Sequence, residues 1–480
     1  MKKLTLWVMA AILSCSPVVF TSCSSEDNPV VNPQEEKNAD RVAFEKILSG
    51  RLARAAQDIR FESAMVSTRS LSDFLSALDE NALKDQIVTF LSKVVAGGKN
   101  VDMSSLSDQD RQAVEKCLKD RFKMTDEELA SVSFFVQLDA YKTLNKLHLT
   151  FENGVCTSSE DADGFTVEIV KSATERSTFQ IQFGEVVEDG LCFFATSVGG
   201  VVPVALQLPK SFNISLHTAN GNVMDGVIAL SSKASSSYIS IKSDDWSVGA
   251  MLTAMLNGRH ETIAARLNHG NDGMYEAEAS VGINDKTMVA FEARGLQAEY
   301  TNEYIDGDEL KQLREMGPFF AAGYEVIKAL KGKTLEELTI TLEDDLVISG
   351  RIDDVAKSLL ALGHIRQLHG TQPAFEAVDA YTQELNKYVH FTVYQKSSDI
   401  TAQGSLLTTQ RGSENDYQPV LALTFKGETK AQSMYDNFSE EDMANYNKVI
   451  GNFNELLKEC TTLVETFSAK IKDIASAFKL

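Results

Sequence analysis

The sequence predicts an α+β protein: a helical N-terminal region, a large antiparallel meander sheet, further hairpins, and a long C-terminal amphipathic helix packed on that sheet. Three observations predict it. Apolar residues recur at three and four from Asp40 to about Lys146, as on the inner face of a helix. The period then drops to two through Phe165–Ala293, as in half-buried strands. One apolar stripe finally runs from Val449 through Leu456, Cys460, Leu463 and Phe467 to Phe478.

Each element has its own warrant. Val42, Phe44, Ile47, Leu48 and Leu52 draw one helical stripe, and Leu71 to Val95 draw another that stops at Gly97-Gly98. Thr125 with Glu128 forms a capping-box pair, in which hydroxyl and carboxylate satisfy orphan amides reciprocally. Alternation marks strands at Phe165–Ile169, Phe179–Phe183, Phe212–Leu216, Ile239–Lys242, Ile263–Leu267, Tyr275–Ile283, Met288–Ala293 and Leu296–Tyr300. Turns are read at Glu188-Asp189-Gly190, Asn220-Gly221-Asn222, Asn268–Gly273 and Asn284-Asp285. Alanines at 264, 265, 277, 279, 290, 293 and 298 admit close neighbours, so a strongly bent sheet is one reading.

Beyond Asp306 the pattern is mixed. A helix-like run, Glu309–Leu330, precedes a hairpin over Leu338–Ile352 that turns at Glu343-Asp344-Asp345. A helical pattern broken near His369-Gly370 leads to a second hairpin, Phe391–Leu407, and a strand at Val420–Phe425. Ser439 with Asp442 starts the last helix, about 55–60 Å long if unbroken. The expected segments are therefore 1–22, a leader; 23–39, a tether; 40–147, helical; 148–305, the meander; and 306–480, mixed.

The leader rests on Met1, Lys2 and Lys3 ahead of the apolar run Leu4–Leu13, with a second apolar patch at Val18–Phe20. Ser14, Cys15, Ser16 and Pro17 interrupt the run, which is short of the about 20 apolar residues a membrane-spanning helix needs. Phe20-Thr21-Ser22-Cys23 resembles the lipobox of bacterial lipoproteins, in which the cysteine is acylated and becomes the new N-terminus. Ile12-Leu13-Ser14-Cys15 is a competing match, disfavoured because it would leave Val18–Phe20 in an exposed tether. Ser24 is not aspartate, and Ser24-Ser25-Glu26-Asp27 resembles the acidic tag of Bacteroidetes-type surface lipoproteins. The resemblance covers only this N-terminal stretch. It implies lipidation at Cys23 and an outer-membrane protein, displayed on the extracellular face, with a periplasm-facing anchor as the alternative.

Composition narrows the partners. Removing Met1–Ser22 takes away two lysines and no acid, moving the formal charge from -22 to -24. That balance argues against nucleic acid, whose phosphates need Lys and Arg. Cys117, Cys156, Cys192 and Cys460 form no CxxC pair and read as buried thiols rather than a disulfide framework.

No GxSxG, HExxH, phosphate loop or GxGxxG occurs, so no cofactor and no metal is expected. His260, Glu261, His269 and Asp272 form the one polar cluster that would converge if Thr262–Leu267 were a strand flanked by turns. His364 and His369, five apart, fall on different sides of a helix. Asp244-Asp245, Asp344-Asp345 and Asp353-Asp354 read as solvated turns or helix starts. Trp246 reads as core. These features imply a lipid-anchored envelope protein with a non-enzymatic binding, scaffolding or accessory role. The rivals are an amphiphile-binding protein and a hydrolase using carboxylates or the His260 to Asp272 cluster.

Overall fold

The computed structural model describes residues 38–184, 191–198, 202–219, 221–233, 235–240, 244–295, 333–368, 374–410, 417–433 and 436–477. Cys23, the tether, Leu296–Tyr300, the run from Glu309 to Leu330, the turn at 188–190 and His369 lie outside these residues. The described chain is mixed α and β and divides into two units. The first holds the residues up to Phe61 and Met274–Leu457; the second holds Glu62–Gly273 and the chain from Lys458. The boundary cuts the expected meander between Gly273 and Met274.

The chain enters the first unit with helix α1 (Ala39–Asp58), capped by the Asn38 side chain on the Asp40 amide. In the second unit, α2 (Glu62–Ser76) and α3 (Glu80–Ala96) carry Phe74 and Leu83 into a core with Leu149, Val167, Ile169, Leu216 and Met224. The expected helical region is interrupted by two short strands, β1 (Lys99–Asp102) and β2 (Phe134–Leu138), around helices α4 (Asp108–Phe122) and α5 (Asp126–Ala130). Thr125 and Glu128 form the capping box at α5. A short helix, α6 (Ala140–Leu144), then leads to the main strands.

Those strands are β3 (His148–Glu152), β4 (Val155–Ser159), β5 (Phe165–Val170) and β6 (Arg176–Phe183), followed by β9 (Ser211–Thr218), β10 (Gly221–Ser232), β11 (Trp246–Leu256) and β12 (Arg259–His269). Their order is β12-β11-β10-β9-β6-β5-β3-β4. Two departures from a simple meander appear. First, β3 and β5 pair in parallel, with β4 folded back outside β3. Gly164, at φ +104°, makes the crossing; a Cβ there would lie 2.9 Å from the Ile181 carbonyl oxygen. Second, β7 (Leu191–Val198) and β8 (Val202–Leu208) leave for a separate sheet of order β1-β2-β8-β7, in which β2 and β8 are parallel. That sheet covers Val114, Cys117 and Leu118 of α4. Ile239–Lys242 is not a strand in its described part: Tyr238 makes an isolated bridge to Cys192, and Ile239 donates its amide to the Cys192 carbonyl at 3.1 Å.

The first unit is a run of sequential antiparallel neighbours: β13 (Tyr275–Ile283), β14 (Lys286–Arg294), β15 (Leu335–Leu342), β16 (Leu346–Ile352), β17 (Val389–Gln395), β18 (Thr401–Gln410), β19 (Tyr417–Phe425) and β20 (Gln432–Ser433). Asn284-Asp285 and Glu343-Asp344 take positive φ at both residues, as tight hairpins require. Helices α7 (Val355–Leu368) and α8 (Phe375–Tyr388) lie between β16 and β17. Asn386 of α8 accepts from the Leu406 amide at 2.9 Å and donates to its carbonyl at 2.8 Å, fixing the helix on β18. The core gathers Phe44 and Leu48 of α1 with Leu346, Phe391, Val393, Leu421, Leu423 and Phe425. The last helix, α9 (Glu440–Ala477), is continuous over 38 residues.

One rung of this sheet shows how small residues set the packing. Gly350 on β16 and Gly404 on β18 face Phe391 of β17 from both sides. A Cβ on Gly404 would overlap the Phe391 ring, and one on Gly350 would overlap the His390 carbonyl oxygen. A ring can adjust, whereas a ladder carbonyl cannot without moving the strand. Gly350→Ala is therefore expected to cost about 1–3 kcal/mol, measured by urea unfolding; a loss below about 0.5 kcal/mol would show that the strands part freely.

Candidate functional site

The expected cluster does not assemble. An Asn257-Gly258 turn, with both residues at positive φ, extends the strand so that β12 begins at Arg259 and ends at His269. His260 and Glu261 therefore sit at one end and His269 at the other, about 30 Å apart along an extended strand. His260 and Asp272 are exposed, whereas Glu261 and His269 are buried. Glu261 accepts the Ala64 amide at 2.7 Å and the Arg259 Nε–H at 2.7 Å. It caps the first turn of α2, because Phe61 before that helix has no side-chain oxygen to offer. His269 stacks on Trp246 at 5.7 Å, and its Nδ1 lies 2.9 Å from the Asp244 carbonyl oxygen. Both are structural positions, and the acid-base or metal reading of the four residues is corrected accordingly. Among the described residues no group of three or more His, Cys, Asp or Glu is arranged to hold a metal ion.

The remaining candidates have local roles. Asp244 accepts from Lys116 at 2.6 Å and from the Ser240 amide at 2.8 Å. Asp345 binds Arg51, the Gln395 side chain and the Ser397 amide, so it ties two hairpin turns. Asp353 contacts His390, and Asp354 caps α7 through the Lys357 amide at 3.0 Å. His364 stacks on Tyr381. Cys117, Cys156 and Cys192 are buried free thiols. Burial pushes Cys117 and Cys192 up to about 12 and Cys156 up to about 11, so none is a thiolate at neutral pH.

A cleft of about 400 Å³ lies elsewhere, on the face of β6, β9, β10 and β11 opposite the core of the second unit. Strand alternation builds it. Phe179, Leu216 and Met224 point to the α2 and α3 side, and their neighbours Gln180, Ser215 and Asp225 line the cleft. Register then lines up two rows across the strands. Gln180, Ser215, Asp225 and Thr253 are direct cross-strand partners in sequence, and so are Gln182, Asn213, Val227 and Met251. With strands about 4.8 Å apart, each row spans about 14 Å.

The polar groups differ in what they have left to offer. Gln180 donates to the Asp163 carbonyl at 2.8 Å, Asp225 accepts from Asn222 at 2.9 Å, and the Thr253 hydroxyl meets that of Thr262 at 3.2 Å. Gln182, Asn213, Ser215 and the rim residue His217 make no side-chain hydrogen bond among the described residues. Among the described lining residues, Asp225 and His217 are the ionisable ones. The lining is thus predominantly neutral, with donors and acceptors side by side and an apolar corner at Val227 and Met251. In the sequence these positions are the polar alternates of the strands Phe179–Phe183 and Phe212–Leu216. The signal that distinguishes them is the succession Gln180, Gln182, Asn213 and Ser215, amides and a hydroxyl where charged residues would serve solubility better.

Comparison with family models, with curated proteins and with solved structures yields no match for the chain.

Proposed function

We propose that this is a lipoprotein of the cell envelope, anchored to the outer membrane through acylated Cys23, displayed on the extracellular face, and serving a binding or accessory role. The observation that carries the binding role is the cleft of the second unit, where polar side chains stand in register across neighbouring strands. The anchor is supported by the leader, the cysteine at its junction with an acidic tether, and the physics of acylation. Each buried methylene contributes about 0.8 kcal/mol, so two or three chains hold where one does not.

The amides and hydroxyls of Gln182, Asn213 and Ser215 offer hydrogen bonds to a polar ligand, beside an apolar corner at Val227 and Met251. In this reading α9 acts as an amphipathic cover for its sheet. Lys470 donates to the Leu78 carbonyl at 2.6 Å and Arg69 pairs with Glu459 at 2.7 Å, both within the second unit. Within the first unit, the alanine-rich strands β13 and β14 allow that unit's own sheet to bend. The test of the anchor is fractionation of Cys23→Ala: the variant is expected in the soluble fraction, while Cys15→Ala stays with the membrane. Membrane retention of Cys23→Ala would overturn the assignment.

A further inference from the structure

We propose that the cleft on β6, β9, β10 and β11 takes a neutral polyhydroxylated chain, such as a short run of an oligosaccharide, laid across the strands; this rests on the binding role stated above. Three features of the site select that chemistry.

The first is the kind of hydrogen bond on offer. Gln182, Asn213 and Ser215 each donate and accept, which matches hydroxyl groups that do both. An anionic ligand would meet Asp225 with no lysine or arginine among the described lining residues, on a chain of formal charge -22. A cationic one would find a single carboxylate, already engaged by Asn222.

The second is spacing. Groups in each row repeat at the interstrand distance of about 4.8 Å, so a ligand whose hydroxyl-bearing units repeat at a similar length places one unit over each strand. A peptide in extended form repeats at about 3.3 Å and pairs its backbone with a sheet edge, not with a face. The third is the apolar corner. Met251 is 45% exposed on an otherwise polar face, beside Val227, and offers a surface for the C–H side of a sugar ring.

The experiment is calorimetric titration of the full acylated chain in detergent. The probes are neutral gluco-, manno- and xylo-oligosaccharides of one to six units, with heparin and a hexapeptide library alongside. At least one neutral series is expected to bind, with affinity rising about tenfold or more from one unit to four and levelling off beyond, because four strands form the row. Asn213→Ala and Gln182→Ala are each expected to weaken binding about fivefold with the melting temperature unchanged, since both side chains are exposed. No binding by any neutral series, or binding that ignores both substitutions, would overturn the proposal. Peptide or heparin binding lost in the same variants would also overturn it, while leaving a binding role for the cleft intact.

Discussion

Replacing Glu261 with alanine is expected to lower the unfolding free energy by about 2–4 kcal/mol, measured by urea unfolding. The carboxylate is 1% exposed and joins three things: strand β12, the Arg259 side chain and the first turn of α2. Truncation leaves the Ala64 amide without its acceptor inside the protein, and a buried unsatisfied donor costs more than the bond itself contributes. Arg259 retains a route to water, since its side chain is 25% exposed, and this keeps the loss below that of a fully enclosed pair. Glu261→Gln preserves an acceptor and is expected to recover more than half of the loss. A change under about 0.5 kcal/mol for the alanine variant would mean that α2 does not depend on this contact.

The second large effect concerns Glu428 in the first unit. Arg41 is 2% exposed, lies over the Phe425 ring at 4.9 Å, and donates to Glu428 at 2.6 and 2.7 Å. Glu428 also accepts the Phe425 amide at 2.8 Å. Glu428→Ala leaves the buried guanidinium with only the Leu423 carbonyl at 2.8 Å and the Glu45 carboxylate at 3.8 Å, and is expected to cost about 3 kcal/mol. The pH dependence has a definite sign. Hydrogen bonding from Arg41 holds the Glu428 carboxyl below its ordinary value. Its contribution is therefore present above the unfolded value of about 4.3 and fades as pH falls through the lower folded value. Urea unfolding of the parent protein and of Glu428→Gln should differ most at pH 7 and converge toward pH 3; an equal difference at both would contradict the assignment.

Local pattern made much of this fold legible. Tyr275–Ile283 reads as a strand from its alternation and is β13. Thr125 with Glu128 reads as a capping box and is one. Hairpins at Asn284-Asp285 and Glu343-Asp344 announce themselves because few residues tolerate positive φ. The same rule, applied to Asn257-Gly258, reaches the true start of β12 and places Arg259–Glu261 in a strand instead of a loop. What stayed hidden depends on distant pairing. Nothing near Leu149 says that it will lie beside Val167 in parallel, and nothing near Glu261 announces a helix start 197 residues earlier. The cleft is of this kind too. Its rows exist only because β6 and β9 pair across the excursion of β7 and β8.

The proposed anchor at Cys23 is tested most directly by the mass of the N-terminal peptide released from protein extracted out of cell membranes. The expected peptide begins at Cys23 and carries two or three acyl chains on that residue. A peptide beginning at Cys15, or an unmodified Cys23 in membrane-bound protein, would contradict it.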